Sequence, residues 1–250
     1  MSGAVHRPHG SHKPHGPTGR IRVATYNIHK SIGTDGVCDP MRIISVLREM
    51  DADIVALQEA DRRFGSRAST LPLVALDDTP WRPLDLGRRP RSIGWHGNAL
   101  LVRRGLEARA VHALDVPTLE PRGAVSADIV THGGALRVAG MHCDLSGFRR
   151  RAQFRAVLDH TEAQRPNLPT VLMGDFNQWG VASGAMRAFG NGWQVLTPGP
   201  TFPGRRPVAQ LDRIVITRNL HCVASGVHHS GLASIASDHL PVWADIELPN

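Results

Sequence analysis

Hydrophobic and polar residues alternate in short runs along most of the chain, and this pattern predicts many short strands and few helices. Residues 21–26 alternate as a half-buried strand does, whereas residues 53–57 form a short apolar run typical of a strand buried on both faces. The same reasoning predicts further strands at 98–103, 107–112, 123–130, 135–142, 170–174, 211–216, 221–228 and 240–247.

Two segments carry the signals of helices. Asp39 suits an N-cap and Pro40 suits a first turn, so we expect a helix that begins there and ends near Met50. A second helix is expected at about residues 147–164. The inward-facing residues of the first helix should be Ile43, Ile44 and Leu47.

Two stretches are expected to lie outside the packed elements. Residues 1–19 are rich in His, Pro, Gly and Ser and contain almost no apolar side chains, so we expect a disordered tail. Its histidines recur every third residue, and a weak metal-binding tract is the alternative interpretation. Residues 60–97 contain many Arg, Pro and Gly residues and are expected to form long surface connections.

The order of the elements indicates the fold class. An early β-α-β unit, a strand-rich middle and a later helix with strands suggest an α/β fold of two packed mixed sheets with helices outside. The chain has 250 residues, 41% of them hydrophobic, which suits a single domain over residues 20–250.

Segment composition and cysteine usage bear on the compartment. Nowhere do eighteen apolar residues run together and the N-terminus has no apolar signal core, so we expect no transmembrane segment and a cytoplasmic protein. The three cysteines are odd in number and free of any CxxC pair, which is typical of reduced thiols.

The charge balance favours an anionic partner. The formal net charge is +7 and the pI is about 10.5, as expected for a protein that meets nucleic acid or a phosphorylated small molecule. Lysine occurs only at Lys13 and Lys30, so nearly all of the 29 basic residues are arginine. Biased base composition in the gene is an equally good explanation of that skew.

Polar residues recur at the ends of the apolar strands, where loops present side chains from a rigid scaffold. Any one of them could cap a turn or pair with an arginine, but so many are hard to explain in this way. They are Asn27, Glu59, Asn98, His142, Asp175, Asn177, Asp212, Asp238 and His239.

Oxygen ligands among these residues indicate a magnesium site. Magnesium prefers hard oxygen ligands, usually one or two carboxylates together with waters and phosphate oxygens. Glu59, Asp238 and the amide oxygen of Asn27 meet that need, and no cysteine–histidine cluster supports zinc. We expect Mg²⁺, with Mn²⁺ as a substitute.

The remaining residues suit an attack of water on phosphorus. Asp212 and His239 could form a pair in which the imidazole accepts a proton near neutral pH. We expect their side chains to lie within hydrogen-bonding distance, roughly 2.6–3.2 Å. Asp175 could orient or deprotonate the attacking water, and Asn177 could donate a hydrogen bond to a phosphate oxygen.

Seven short motifs occur in order along the chain: TYNIHK (25–30), IVALQEA (54–60), GNALL (97–101), GMH (140–142), GDFN (174–177), LDRI (211–214) and SDHLP (237–241). Together they resemble the successive motifs of the endonuclease/exonuclease/phosphatase superfamily, which includes DNase I. The resemblance spans about residues 21–247 and implies a four-layer α/β sandwich with its site where the loops of the two sheets meet. The front segment most resembles a branch of small, poorly characterised metal-dependent hydrolases.

The resemblance implies which residues hold the metal. Asn27 and Glu59 match the metal-binding Asn and Glu of the family, and Asp238 matches its metal-associated Asp. Asp212 matches the Asp that orients the terminal histidine, which is His239 here.

The resemblance also implies which residues act on the substrate. Asp175 and Asn177 match the catalytic Asp and the phosphate-binding Asn, and His142 matches the position that is His in DNase I-like members. We expect Asn98 to contact the substrate together with Asn177 and His142. Whether His239 or Asp175 is the base stays open at this point.

The expected reaction is metal-dependent hydrolysis of a phosphodiester in nucleic acid or in a phospholipid. Aromatic residues make up only 5% of the chain, which leaves few platforms for stacked bases. The sequence also shows no long apolar loop of the kind that enters a membrane. The alternatives are a phosphomonoesterase acting on a small phosphorylated molecule and a non-catalytic binding protein with the same fold. We expect a monomer.

Overall fold

The structure is a computed structural model that describes residues 19–62, 65–88, 90–118, 122–180 and 184–249. All but the last residue of the expected tail, 1–19, therefore lies outside the described residues. The strands are β1 (Arg20–Asn27), β2 (Ile54–Gln58), β3 (Trp81–Pro83), β4 (Ala99–Arg103), β5 (Glu107–Asp115), β6 (Gly123–Thr131), β7 (Gly134–His142), β8 (Thr170–Asp175), β9 (Trp193–Leu196), β10 (Asp212–Thr217), β11 (His221–Val227) and β12 (Val242–Glu247).

The helices are fewer than the strands. They are α1 (Pro40–Met50), α2 (Leu73–Asp77), α3 (Gly147–Gln164) and α4 (Ala233–Ala236), with short 3₁₀ turns at His29–Ser31 and Gly184–Ala188. No helix in the described part of the chain is both long and apolar enough to cross a membrane.

The strands form two six-stranded sheets. Their orders are β11-β12-β1-β2-β4-β3 and β5-β6-β7-β8-β10-β9. In each sheet one central pair is parallel, β1 with β2 and β7 with β8, and the other pairs are antiparallel. Both sheets are therefore mixed, as the sequence predicts.

The sheets pack face to face and helices cover their outer faces. Side chains such as Ile54, Val138 and Ile214 fill the space between the sheets. Residues of α1 pack on the outside of the first sheet, and Phe154 and Val157 of α3 pack on the outside of the second. These layers confirm the predicted four-layer α/β sandwich.

Two glycines set close approaches near the centre of the sandwich. A Cβ added to Gly140 would lie 2.9 Å from the Cβ of Ala56, so the two sheets meet here at their smallest residues. Gly174 has φ +155°, and a Cβ at this position would lie 1.8 Å from the Met141 carbonyl oxygen. Only glycine therefore fits at the end of β8, directly before Asp175.

Helix α1 begins as its sequence predicts. The Asp39 side chain accepts hydrogen bonds from the backbone N–H groups of Met41 and Arg42, and Pro40 occupies the first turn. The predicted inward-facing residues are fully buried, and they are Ile43, Ile44 and Leu47. The predicted limits of α3, residues 147–164, also match the structure.

The prediction that residues 60–97 form surface connections is wrong for much of their length. This segment contains α2 and the edge strand β3, and several of its side chains are buried in the first half of the sandwich. The large apolar ones are Leu71, Leu76, Trp81, Leu84 and Ile93. Its apolar residues occur in short groups interrupted by Pro, Asp and Arg, so the segment has no sustained helical or strand period that would indicate burial.

Strand β9 (Trp193–Leu196) is a second element absent from the sequence-based prediction. It lies at the edge of the second sheet and pairs only with β10. Its four residues give too short an alternation to distinguish a strand from a loop.

We predict that Trp81→Ala lowers the free energy of unfolding by about 3–5 kcal/mol, the usual cost of removing a buried tryptophan. The side chain is 1% exposed, and its Nε1–H donates to the Ala52 carbonyl oxygen at 2.7 Å. Urea denaturation measures the change. Val74→Ala is the control, because Val74 lies in the same segment but is 82% exposed. Equal, small effects of the two substitutions would show that this segment is a surface connection, as the sequence predicts.

Candidate active site

Four of the predicted residues lie where the parallel strands of the two sheets end. Asn27 ends β1, Glu59 follows β2, His142 ends β7 and Asp175 ends β8. The carboxyl ends of parallel neighbours lie at the same edge of a sheet. The packing of the sheets brings the two edges together. The amide nitrogen of Asn27 in the first sheet therefore donates to Asp175 Oδ2 in the second, at 3.0 Å.

Asp175 is the centre of this group. His142 Nε2 lies 3.3 Å from its Oδ2, and His239 Nε2 lies 3.8 Å from the same oxygen. The other oxygen, Oδ1, accepts the backbone N–H of Asn177 at 2.9 Å. The carboxylate is therefore held on both oxygens, and two imidazole rings face it.

The predicted Asp212–His239 pair is confirmed. Asp212 Oδ2 lies 2.8 Å from His239 Nδ1, within the expected hydrogen-bonding distance. The Thr201 hydroxyl donates to the same oxygen at 2.6 Å, and the Phe202 ring lies 4.9 Å from the imidazole, centroid to centroid. Asp212 is paired with Asp175 across β10 and β8, so one imidazole spans two carboxylates.

Burial makes the charges of this group depend on one another. Burial raises the pKa of Asp212, and the Asp175 charge adds to this effect. Burial also opposes ionisation of Asp175, but the charges of His239 and His142 outweigh it and hold the pKa of Asp175 below its usual range. For His239, burial favours the neutral ring, yet Asp212 and Asp175 raise its pKa to about 10. His239 is therefore cationic at neutral pH in the metal-free protein.

Glu59 lies on the other side of Asn27 and carries its own cation. The Lys30 ammonium donates to Glu59 Oε2. Burial would raise the pKa of Glu59, but His142 and Lys30 overcome it and the pKa of Glu59 is lowered. The carboxylate is therefore ionised at neutral pH. Asp238 lies near His29, whose Nδ1 is 3.8 Å from Asp238 Oδ1.

The donors around Glu59 fit a magnesium ion. Glu59 offers an ionised carboxylate that already faces a cation, and within the described residues the Asn27 Oδ1 accepts one hydrogen bond, from the His29 N–H at 3.1 Å. An amide oxygen has two lone pairs, so one is left for a metal. Both donors are hard oxygens of the kind that Mg²⁺ prefers.

A second set of atoms has the spacing of a metal site. One ligand atom from each of Asp175, Asp212 and His239 lies within 4.8 Å of the others. The short hydrogen bond from His239 Nδ1 already uses the Asp212 oxygen, and Asp175 Oδ2 already accepts the Asn27 amide. The set is therefore a hydrogen-bonded group in which these two oxygens already have partners.

The two predicted asparagine contacts differ in accessibility. Asn177 is partly exposed, and its Nδ2 donates to the Cys143 carbonyl oxygen at 3.0 Å. Asn98 is fully buried, and its Nδ2 donates to the Gly123 carbonyl oxygen at 2.9 Å. A substrate contact by Asn98 therefore stays a prediction, whereas Asn177 has a hydrogen on its amide to spare.

Exposed apolar side chains lie shortly after His142 and Asn177 in the chain, on the segment that leads into the first turn of α3 and on the loop after β8, and we call them the apolar rim. Leu145, Phe148 and Trp179 are 70%, 94% and 68% exposed. Arg150 joins the two loops, since its guanidinium donates to the Leu145 carbonyl oxygen at 2.5 Å and to Gln178 Oε1 at 3.2 Å. The fold thus assembles an apolar rim that no continuous sequence segment shows.

Sequence reasoning missed three residues of the site: Lys30, Thr201 and Phe202. Lys30 ends the first motif, three residues after the predicted metal ligand Asn27, and this position was the available signal. Thr201 and Phe202 lie in a loop far from any motif, and only the fold brings them to Asp212 and His239.

A model of the Endonuclease/Exonuclease/phosphatase family matches residues 24–239, a span that contains all of the residues discussed above. The chain belongs to this family. Members of the endonuclease/exonuclease/phosphatase family are hydrolases that act on phosphoester bonds, and they generally depend on a divalent metal.

Similar proteins agree with this assignment. The chain is 28% identical over 253 residues to the uncharacterized protein YbhP of Escherichia coli K12, covering 91% of this chain and 96% of YbhP. An endonuclease/exonuclease/phosphatase from Bacteroides vulgatus has a TM-score of 0.72 at 18% identity, covering 92% and 99% of the two chains. D. rerio TDP2 complexed with single-strand DNA product has a TM-score of 0.69 at 14% identity, covering 91% and 99%. The structures share the fold.

We predict that the metal-free protein loses stability as the pH rises from about 6.5 to about 10, because folding raises the pKa of His239 over this range. The stabilisation is complete below the unfolded pKa and disappears as the folded group titrates. Each unit of pKa shift corresponds to about 1.4 kcal/mol, so the loss is on the order of a few kcal/mol. Urea denaturation in EDTA across this range measures it.

His239→Gln should flatten this decline. Some slope will remain, because burial also raises the pKa of the Cys143 thiol. His132→Gln, at an exposed position, is the control and should keep the wild-type slope. Identical slopes for wild type and His239→Gln would show that His239 is not the titrating group.

Proposed function

We propose that this chain is a divalent-metal-dependent phosphodiesterase in which water attacks phosphorus. The observation that carries the proposal is the Asp175 carboxylate, bonded to Asn27 and faced by the imidazoles of His142 and His239, with Asp212 behind His239. General acid–base chemistry on a phosphoester needs an ionised acceptor beside a proton donor, and Asp175 and His239 supply the two.

The pKa directions support a division of roles. Asp175 is ionised and can accept a hydrogen bond from the attacking water, which orients a lone pair toward phosphorus. His239 is cationic and suits a donor to a phosphate oxygen better than a base, with Asp212 holding its Nδ1 side. A lowered pKa makes Asp175 a weak base, so these directions suit it to orienting the water through a hydrogen bond, with His239 as the proton donor.

Other residues of the chain would bind and position the phosphate. His142 faces the same carboxylate as His239 and lies on the adjacent strand, so it can contact another phosphate oxygen. Asn177 can donate its second amide hydrogen to the phosphate while keeping the Cys143 carbonyl. This proposal also extends to Asn98, although its side chain is fully buried.

Glu59 and Asn27 would hold the divalent ion, with Asp238 as a further oxygen ligand near the site entrance. When bound, Mg²⁺ or Mn²⁺ would neutralise charge on the phosphoryl oxygens and lower the pKa of water. The Asp238 side chain is 35% exposed and faces His29.

The rim supports a phosphodiester with a large substituent. Leu145, Phe148 and Trp179 present apolar surface on the segments that follow His142 and Asn177. A nucleobase can stack on an aromatic ring, and an acyl chain can contact all three residues. The net charge of +7 suits either polyanionic nucleic acid or an anionic phospholipid.

A substrate panel tests the proposal. We expect Mg²⁺ or Mn²⁺ to support hydrolysis of a phosphodiester, chosen among a single-stranded oligonucleotide, phospholipid vesicles and bis(p-nitrophenyl) phosphate, and EDTA to abolish it. Faster turnover of p-nitrophenyl phosphate than of every diester would favour the phosphomonoesterase alternative. Metal binding without any hydrolysis would favour a binding protein.

On the diester that is hydrolysed, we predict that Asp175→Asn and His239→Ala each lower kcat at least about a hundredfold, because general acid–base groups contribute roughly 10²–10⁴. Asp159→Asn, on the exposed face of α3, is the control and should keep wild-type kcat. Circular dichroism and thermal unfolding check that each variant is folded. Near wild-type turnover by either site variant would contradict the proposed mechanism.

We predict that Glu59→Gln weakens the affinity for Mg²⁺ by about tenfold or more, because it replaces the charged ligand of a hard cation by a neutral one. The activation of hydrolysis by Mg²⁺ measures this change, with Glu162→Gln on the surface of α3 as the control. An unchanged magnesium dependence would make Glu59 a structural residue.

A further inference from the structure

The turn that follows β1 has an unusual backbone. His29, Lys30 and Ser31 have φ values of 44°, 57° and 62°, in the left-handed region that residues with a Cβ rarely adopt in succession. None of the three is Gly, Asn or Asp, the residues that tolerate this region best. Such conformations persist only where surrounding contacts enforce them, and they cluster at functional sites.

Backbone hydrogen bonds on both sides enforce this turn. The Ser31 N–H donates to the Ile28 carbonyl oxygen at 2.7 Å, and the Asp39 N–H donates to the Ser31 carbonyl oxygen at 2.8 Å. The Lys30 N–H donates to the Glu59 carbonyl oxygen at 3.2 Å. Lys30 is therefore fixed by its backbone to the residue whose carboxylate its side chain contacts.

The Lys30 side chain brings a charge to an oxygen that a metal ion would need. Its ammonium donates to Glu59 Oε2, and the two side chains are 32% and 23% exposed, so solutes can reach the pair. Lysine carries a compact charge on a flexible four-carbon stem. The ammonium can therefore leave Glu59 while the turn stays in place.

We infer that Lys30 is a tethered cation that competes with the divalent metal for Glu59 and binds the substrate phosphate once the metal has displaced it. Two cations on one carboxylate oxygen repel each other strongly in a partly buried site. Asp175 and Asp212 already have hydrogen-bond partners in Asn27 and His239, and a phosphate bound beside Glu59 would offer the displaced ammonium a new anionic partner. The inference rests on the proposed function, because it takes Glu59 as a metal ligand.

Calorimetric titration of Mn²⁺ into the metal-free protein, without substrate, tests the competition. We expect Lys30→Met to bind Mn²⁺ at least about tenfold more tightly than wild type, because the competing charge is gone. Arg42→Met is the matched control. It removes one positive charge from the same half of the sandwich, but Arg42 is paired with Asp35 and Asp39 rather than with Glu59. This control should bind Mn²⁺ as wild type does.

Titration of inorganic phosphate into the Mn²⁺-loaded protein tests the second role. We expect Lys30→Met to bind phosphate at least about tenfold more weakly than wild type, and Arg42→Met to bind it normally. The two effects of Lys30→Met thus have opposite signs, and a merely destabilised site would weaken both. Lys30→Gln should behave as Lys30→Met does, and it replaces that variant if Lys30→Met fails to fold.

The outcomes separate this inference from the proposed function. Wild-type protein that binds no Mn²⁺ would overturn the proposed function. Wild-type protein that binds Mn²⁺, with equal or weaker binding by Lys30→Met, would show that Lys30 forms a structural ion pair and would overturn the competition. Tighter Mn²⁺ binding with unchanged phosphate binding would overturn the phosphate role.

Discussion

Two carboxylates buried on neighbouring strands impose the constraint on which the site depends. Asp175 and Asp212 are paired across β8 and β10, and neither can keep its charge in this environment without a positive partner. His239 supplies that partner by lying against both, which ties the loop after α4 to the second sheet. The attraction between His239 and the two carboxylates stabilises these buried charges. It also holds a proton at the position where hydrolysis of a phosphoester would need one.

The two sheets contribute different chemistry to this constraint. The first sheet provides Asn27 and Glu59, which are suited to a cation, and the second provides His142, Asp175 and Asp212, which are suited to a proton. Each set lies at the ends of its own strands and is ordered by its own ladder of hydrogen bonds. The Asn27–Asp175 hydrogen bond joins the sets, so sheet packing fixes the position of one set relative to the other.

The sequence predicts much of this arrangement, and the features that it did not predict were missed for physical reasons. Strong periodicity and capping residues predicted α1 and most strands, and motif residues predicted the Asp212–His239 pair across 27 positions. The burial of Trp81 was missed because its neighbours have no regular period. Thr201 was missed because only the path of a long loop brings it to Asp212. Lys30 was missed because its position depends on a backbone turn that composition does not encode.

The close approach of Gly140 and Ala56 has a consequence for how such a protein diversifies. The smallest residues of the two sheets touch at the centre of the sandwich, so the interior sets the gap across which the two halves of the site face each other. Phe148 and Trp179, by contrast, are exposed, so these positions can change without altering that gap. The core therefore sets the spacing of the site, whereas the surface around it is free to vary.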